Sequence, residues 1–542
     1  GIFVSGANAS ANIHDNSASI HGNAVGIEVS GGTATISNNH IYGNTTGVEF
    51  TAGGSGSLSG DDFRGSTAMP AAANNSTDLL IDATAGAVSL SGDTLAGNTF
   101  ISNQKNAELE ATGETFVLGA TTVTPSDSTL ADLYDVEDRI TDGLDPSQSG
   151  GLVRLRAGNV YVTQSSDSIQ RGVNLALAGN SLYVQAGLYQ ENVSINKALS
   201  LHGANAGTAG AAASGAMPTR SVASETEVLT NGNQNAVFTV TAGNVTIDGF
   251  YLEGNDPGAT GATLTSGDDS NAIYGIRASS GVSNLTIENS VVKDVQIGFR
   301  GDSSASNLTN NNLITRNWFD GIGIYDFGYA VNLRSNFYAD VTNNLMTRVQ
   351  SGIQTNNFSG AGGPASWLYQ DNTISAYGAG IWQNLQFNQA TSVTIDGNTI
   401  TSLHVPNIPA NAAALANSEG HSIGILLVSI QDHVGATVTN NDISGMAYGV
   451  TLYNTTTANT ITLGATNDIH GNGVGVYLTN KVDFNPVTMT VLGGTANNPT
   501  GTGTAVLNGI TLTGNTTGVL VNDSNNSTTF GTSLTLQNGV TI

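Results

Sequence analysis

One short phrase, repeated along the chain, constrains the fold more than any other feature. Between Val245 and Val450 an apolar alternation is followed by Asn or Asp-Gly, then by a second apolar run, then by Gly-Ile or Gly-Val. It reads Val245-Thr246-Ile247-Asp248-Gly249-Phe250, Val393-Thr394-Ile395-Asp396-Gly397-Asn398-Thr399-Ile400 and Val438-Thr439-Asn440-Asn441-Asp442-Ile443, with looser copies at Leu285 and Val341. The closing marker falls at Gly275, Gly298, Gly321, Gly352, Gly380, Gly424, Gly449 and Gly475, in steps of 23, 23, 31, 28, 44, 25 and 26 residues. A unit in the twenties with loop insertions is the period of a solenoid. Its β-prone runs are too short for helices, and the residues between them tolerate the left-handed backbone of a sharp corner. Asn side chains stacked at such corners hydrogen-bond from coil to coil. The pattern predicts an all-β chain, a right-handed parallel β-helix.

Composition agrees. In 542 residues, 39% hydrophobic and 6% aromatic is a thin supply for large globular cores, yet enough for a solenoid whose coils cover one another. The formal charge of −26, from 41 acids against 15 bases, makes nucleic acid and anionic membranes poor partners and leaves Ca²⁺ as the cation such a field admits; no other cofactor is expected. Cysteine is absent, which removes disulfides and thiolate metal sites. No run approaches the ~18 apolar residues of a membrane-spanning helix. With abundant Asn, Thr, Ser and Gly, these features fit a secreted, extracellular or cell-surface protein. The chain opens at Gly1-Ile2 and closes at Gly539-Val540, both on the repeat marker, so a longer parent is expected.

In order along the chain, Gly1-Ile2, Gly26-Ile27 and Gly47-Val48 place the first coils, and residues 1–120 read as the C-terminal part of a first β-helix. Residues 121–180 break the pattern and read as a helical junction and cap. Thr129 and Asp132 have capping-box spacing, with Leu133, Val136, Ile140 and Leu144 on one helical face and the acids Asp132, Asp135, Glu137, Asp138 and Asp142 on the other, solvated face. Ser168 caps a second helix with the stripe Ile169, Val173 and Leu177. Residues 181–542 form a second β-helix with loop insertions. The expected architecture is two tandem solenoids with a short helical cap between them.

The run Ala186-Gly187-Leu188-Tyr189-Gln190-Glu191-Asn192-Val193-Ser194-Ile195-Asn196-Lys197, ending in Leu199-Ser200-Leu201-His202-Gly203, resembles the first coils of the pectin-lyase-like and pectinesterase-like β-helix families. The wider arrangement is similar to modules of giant secreted bacterial surface proteins. The resemblance covers about 25 residues directly, from Leu182 to Gly203 and a little beyond, and implies the fold. The catalytic phrases of those enzymes are not assembled here. Gln370-Asp371 and Asp326-Phe327-Gly328 echo a methylesterase without its Arg-Pro-Trp; Gly267-Asp268-Asp269 and Gly420-His421 echo a polygalacturonase but lie about six coils apart, roughly 30 Å, too far for paired carboxylates.

All three tryptophans fall between 318 and 382 among Tyr, Phe, Arg and Asp. Sugar rings stack on flat aromatic faces, so Arg316, Trp318, Tyr325, Asp326, Trp367, Asp371 and Trp382 are the candidate glycan-binding residues. The alternative is that these aromatics stack along the outside of the solenoid or pack under inserted loops. Histidines 14, 21, 40, 202, 404, 421, 433 and 470 show no metal-ligand spacing, so no metal ligands and no catalytic residues are named. The function expected is a non-catalytic structural or adhesive module, part of a rod or fibre of roughly 100 Å, whose partners are further copies, other surface proteins or carbohydrate. The alternative is a polysaccharide lyase, hydrolase or glycan binder with its groove at 316–382.

Overall fold

The computed structural model describes residues 1–67, 73–210, 224–232, 234–255, 271–303, 309–322, 328–334, 337–357, 365–385, 391–403, 422–429, 434–453, 460–479, 484–485, 490–491, 503–522 and 532–542. The chain is a right-handed parallel β-helix in which short strands recur once per coil and pair in parallel with their counterparts in the next coil. It divides into two compact units, Gly1–Tyr189 with Leu199–Leu201, and Gln190–Ala198 with His202–Ile542.

In the first unit one sheet runs through Ile2–Ser5, Val25–Ser30, Thr46–Thr51, Thr77–Ile81 and Thr99–Asn103, and a second through Ser10–His14, Thr33–Ser37, Ser55–Ser59 and Val88–Ser89. Ile27, Val29, Val48, Phe50, Ile36 and Phe100 point inward and are wholly buried. Helix α1, Leu130–Glu137, carries the expected capping box between Thr129 and Asp132. It ends earlier than the spacing predicts. Ile140 lies instead in a strand, opposite Ile101, and the acidic face is not all solvated, since Glu137 and Asp142 are buried. Helix α2, Ile169–Leu175, is capped by Ser168 and buries Ile169 and Val173, while Leu177 lies beyond its end and is exposed.

In the second unit each coil contributes to three sheets. A representative coil runs through Thr391–Asp396 (sheet 1), Thr399–Ser402 (sheet 2) and Ile423–Ser429 (sheet 3) before the chain re-enters sheet 1 at Val434–Thr439. Alternation sorts the side chains. Val393, Ile395, Ile400 and Ile425 are buried inside, and the sequence neighbours of the first three face outward.

The corner between sheets 1 and 2 explains the Asn-rich phrase. Its first residue adopts the left-handed conformation: Asn289, Arg316, Asn343, Asp371, Gly397 and Asn440 all have φ between 53° and 68°. The next residue turns inward and forms a buried ladder, Asn317, Asn344, Asn372, Asn398, Asn441 and Asn467. From Asn344 onward each Oδ1 accepts from the backbone N and the Nδ2 of the preceding rung at 2.9–3.1 Å, Asn317 Oδ1 accepts from Ser290 N at 3.0 Å, and each Nδ2 also donates to a backbone carbonyl. A polar group enclosed this way is fully satisfied, which is the condition for burying it without loss.

The Gly of the Gly-Ile marker has a different cause. At Gly352, Gly380, Gly424 and Gly449 a Cβ would point inward, 2.4–2.6 Å from the carbonyl oxygen of the next glycine in the column and 2.3–2.7 Å from an isoleucine Cγ2. These positions are glycine for space. Gly424→Ala, whose Cβ would meet Ile443 and the Gly449 carbonyl, is expected to cost about 2 kcal/mol or more through overpacking, read as a lower urea midpoint at unchanged slope.

Candidate functional site

The outer face of sheet 2 is built by a four-residue phrase that begins with the ladder residue. The second and fourth positions turn to the outer side and the third turns in, so Asn317-Trp318-Phe319-Asp320 buries Phe319 in the interior and sets Trp318 and a covered Asp320 on the outer side. Two outward rows result. One runs Glu227, Tyr251, Val291, Trp318, Leu345, Thr373, Thr399; the other contains Glu253, Lys293, Asp320 and Thr347. Sheet pairing therefore brings together residues 24 to 40 positions apart.

At the N-terminal end of this face the side chains interlock. The Trp318 ring is half-buried and its Nε1 donates to Thr347 Oγ1 at 2.7 Å; that hydroxyl donates to Asp320 Oδ1 at 2.8 Å. Arg348 Nε donates to the same oxygen at 2.9 Å and Nη2 reaches the other at 2.5 Å, a two-pronged pair in which Asp320 is almost fully buried. The bonds to Asp320 raise the Arg348 pKa, so that guanidinium stays charged. Lys293 Nζ lies 5.9 Å from the centre of the Tyr251 ring. Burial, then the negative charges of Glu253, Glu227, Asp294 and Asp320, push the Tyr251 phenol well up.

On this face Glu253 is a carboxyl whose protonation departs from its ordinary state. Burial and the neighbouring Asp294 charge raise it to about 8, although its Oε1 accepts a hydrogen bond from Asn255 N at 3.2 Å and Lys293 pulls the other way. Burial also raises Glu227, with a contribution from Glu225. The face thus holds a buried carboxyl, Glu253, that keeps its proton at neutral pH, with an aromatic ring alongside. C-terminal to it the rows turn to hydroxyls, Thr373, Ser375, Thr399 and Thr401, with Ser375 Oγ and Thr401 Oγ1 3.0 Å apart.

Of the residues singled out by the sequence, Trp318 belongs to this face. Arg316 and Asp371 are exposed at the corner, each in the left-handed conformation, and Arg316 Nη2 donates to the Gly207 carbonyl at 3.0 Å. Trp367 is wholly buried in the interior, in the inward column of Val393, with its ring 4.6 Å from Tyr338 and its Nε1 on the Phe337 carbonyl; it presents no face to a ligand. Trp382 is 7% exposed and packs on sheet 3 with Ala379, Ile423 and Leu426. Tyr325 and Asp326 lie outside the described residues, as do Gly267-Asp268-Asp269 and His421. The three tryptophans therefore do not share one groove.

One further set escaped the sequence. Asp442, Asp468 and His470 bring ligand atoms within 4.8 Å of one another, although His470 shows no metal-ligand spacing along the chain. The signal was the coil period: Asn441-Asp442-Ile443-Ser444 and Asn467-Asp468-Ile469-His470 align rung for rung.

The chain matches no family profile and no curated protein. Among solved structures it is similar to the crystal structure of DFA-IIIase from Arthrobacter chlorophenolicus A6, without its lid and in complex with GF2, at 13% identity, over 66% of this chain and 84% of that one, with a TM-score of 0.36. So loose a likeness transfers nothing about function.

Proposed function

We propose that the chain is a carbohydrate-binding solenoid module of an extracellular structural or adhesive protein, and that it holds its ligand along the outer face of sheet 2. The observation that carries this reading is Trp318, a half-buried aromatic ring fixed by hydrogen bonds through Thr347 to Asp320 and Arg348, with a strip of hydroxyls continuing the same rows. An indole held in one orientation stacks on a sugar ring at little entropic cost, and carboxylate, guanidinium and hydroxyl groups pair with sugar hydroxyls. The solenoid supplies a rigid, repeating backbone beneath them. Such a module works beside other copies or other surface proteins.

Glu253 favours a second reading, a glycoside hydrolase, because an acid protonated at neutral pH is what proton donation to a leaving oxygen requires. One experiment separates the two. Affinity electrophoresis on acidic and neutral polysaccharides, with reducing ends assayed in parallel, is expected to show retention that falls at least about tenfold in Trp318→Ala, as lost stacking and a lost hydrogen bond together would give. Retention unchanged by Trp318→Ala would sink the binding reading. Reducing ends that appear with the wild type and vanish in Glu253→Gln would replace it with the hydrolase.

A further inference from the structure

We propose that Asp442, Asp468 and His470 form a binding site for one divalent transition-metal ion of the zinc or cobalt kind. The site is independent of the carbohydrate reading and lies toward the other end of sheet 2. Asp442–Ser444 and Asp468–His470 are paired strands in parallel register, with Asp442 opposite Asp468 and Ser444 opposite His470. Ile443 and Ile469 are wholly buried between them, so all four flanking side chains emerge on the outer face. The donors are one carboxylate oxygen from each aspartate and one imidazole nitrogen, mutually within 4.8 Å.

The spacing suits an ion. His470 Nε2 lies 3.1 Å from Asp442 Oδ1. Donors about 2.0–2.2 Å from a zinc-sized ion stand roughly 3 Å apart at adjacent coordination positions, so this edge has the required length before metal arrives. The backbone on which the donors stand is fixed, because Asn441 and Asn467, the residues before the two aspartates, are bonded rungs of the buried ladder.

Charge points the same way. Like charges directly opposite in paired strands destabilise each other. Asp442 is hydrogen-bonded to His470, neither aspartate has a Lys or Arg ion-pair partner among the described residues, and a dication would neutralise both. The choice of ion follows from the donors. Imidazole with carboxylates selects borderline ions such as zinc over Ca²⁺, which takes six to eight oxygens. With three protein donors and His470 and Asp442 about half exposed, coordination positions remain open to water or to a ligand's own oxygen.

The test uses the full chain, freed of metal with a chelator, titrated with Zn²⁺ by calorimetry and with Co²⁺ by visible absorption. The wild type is expected to take up one equivalent that Asp442→Asn and His470→Ala each lose, the Co²⁺ bands disappearing with it, while Ser444→Ala keeps both. Circular dichroism melts without metal are expected to stay unchanged in all three variants, since the residues are on the surface. Equal zinc uptake by the wild type and His470→Ala would overturn the assignment. So would Ca²⁺ binding as tight as zinc and indifferent to His470→Ala, which would mean a carboxylate site alone.

Discussion

Taking the chain from pH 5 to pH 9 is expected to strip stability from the first unit. Its corner ladder starts as asparagine, Asn16 and Asn39, and continues as acid, Asp61, Asp93 and Glu114. Asp61 Oδ1 accepts from Asn39 N and Nδ2, Asp93 Oδ1 accepts from Asp61 N at 2.8 Å, and Glu114 Oε2 accepts from Asp93 N at 2.6 Å. An acid copies the accepting half of an asparagine when ionised and the donating half only when protonated. Asp93 Oδ2 is buried with no hydrogen-bond partner in the ladder. Burial, with the charges of Glu114 and Asp61 facing it, pushes Asp93 up to about 8; burial also raises Asp61 and Glu114. A second ladder, Asn23, Asn44 and Asn75, ends on Asp78, raised by burial to about 7 with the Asp62 charge adding to it, and Asp142 is raised by burial to about 7.

Asp78, Asp93 and Asp142 ionise near pH 4 in the unfolded chain and at about 7 to 8 in the folded one. Their stabilisation is therefore complete below about pH 4 and is lost as the pH climbs through 7 to 8, the reverse of ordinary acid denaturation. A tenfold difference in proton affinity between folded and unfolded chain is worth about 1.4 kcal/mol, so even after discounting for mutual coupling a loss of roughly 3 kcal/mol or more is expected. Hydrogen exchange corrected for its intrinsic pH dependence would register this as at least about a hundredfold less protection in Thr33–Ser37, Ser55–Ser59 and Thr99–Asn103. The double variant Asp78→Asn, Asp93→Asn is expected to flatten the profile and hold protection at pH 9. A wild-type profile already flat from pH 5 to pH 9 would mean that the buried acids find compensation elsewhere.

The second unit supplies the converse experiment. Asn372 is wholly buried, accepts from Asn344 N and Nδ2, and donates to the Val341 carbonyl and Asn398 Oδ1, so Asn372→Ala strands partners on both sides. At about 1–3 kcal/mol for each buried group left unpaired, a loss of roughly 3–5 kcal/mol is expected. Asn372→Asp is the sharper variant. Protonated, it keeps both halves of the rung; ionised, it loses the donor and buries a charge. Its melting temperature is expected to lie within a few degrees of wild type at pH 4 and to drop by about 10 °C relative to wild type at pH 8.5. An equal deficit at both pH values would show that shape, and not the proton, sets the cost.

How much of this was legible depends on distance along the chain. The coil period, the left-handed corners, the Thr129 capping box and the Ser168 cap are written in neighbouring residues, and they stand where the sequence places them. Inside and outside were harder. Trp318 and Trp367 look alike in sequence, but Trp318 follows a ladder asparagine by one position and faces out, whereas Trp367 occupies the inward column of Val393. Only alignment of the coils reveals that parity. The acids Asp61, Asp93 and Glu114 are hidden for the same reason, since only alignment of the coils places them on asparagine rungs. Glu227, Tyr251, Glu253 and Trp318, or Asp442 and His470, belong to different coils, and no local motif unites them.

The step from Asn398 to Asn441 spans 43 residues where its neighbours need 26, yet the rung closes at 2.9 Å like the others. What a coil must present to the next is a Cβ-free glycine, a buried isoleucine and an amide in the right place. What it does between those contacts is unconstrained by its neighbours. Such a chain can lengthen by copying a coil, and it can acquire a new excursion at any corner without repacking the interior. Mutation thus meets two unequal surfaces in one molecule: columns where nearly every change is refused, and intervals between them where novelty accumulates at almost no structural risk.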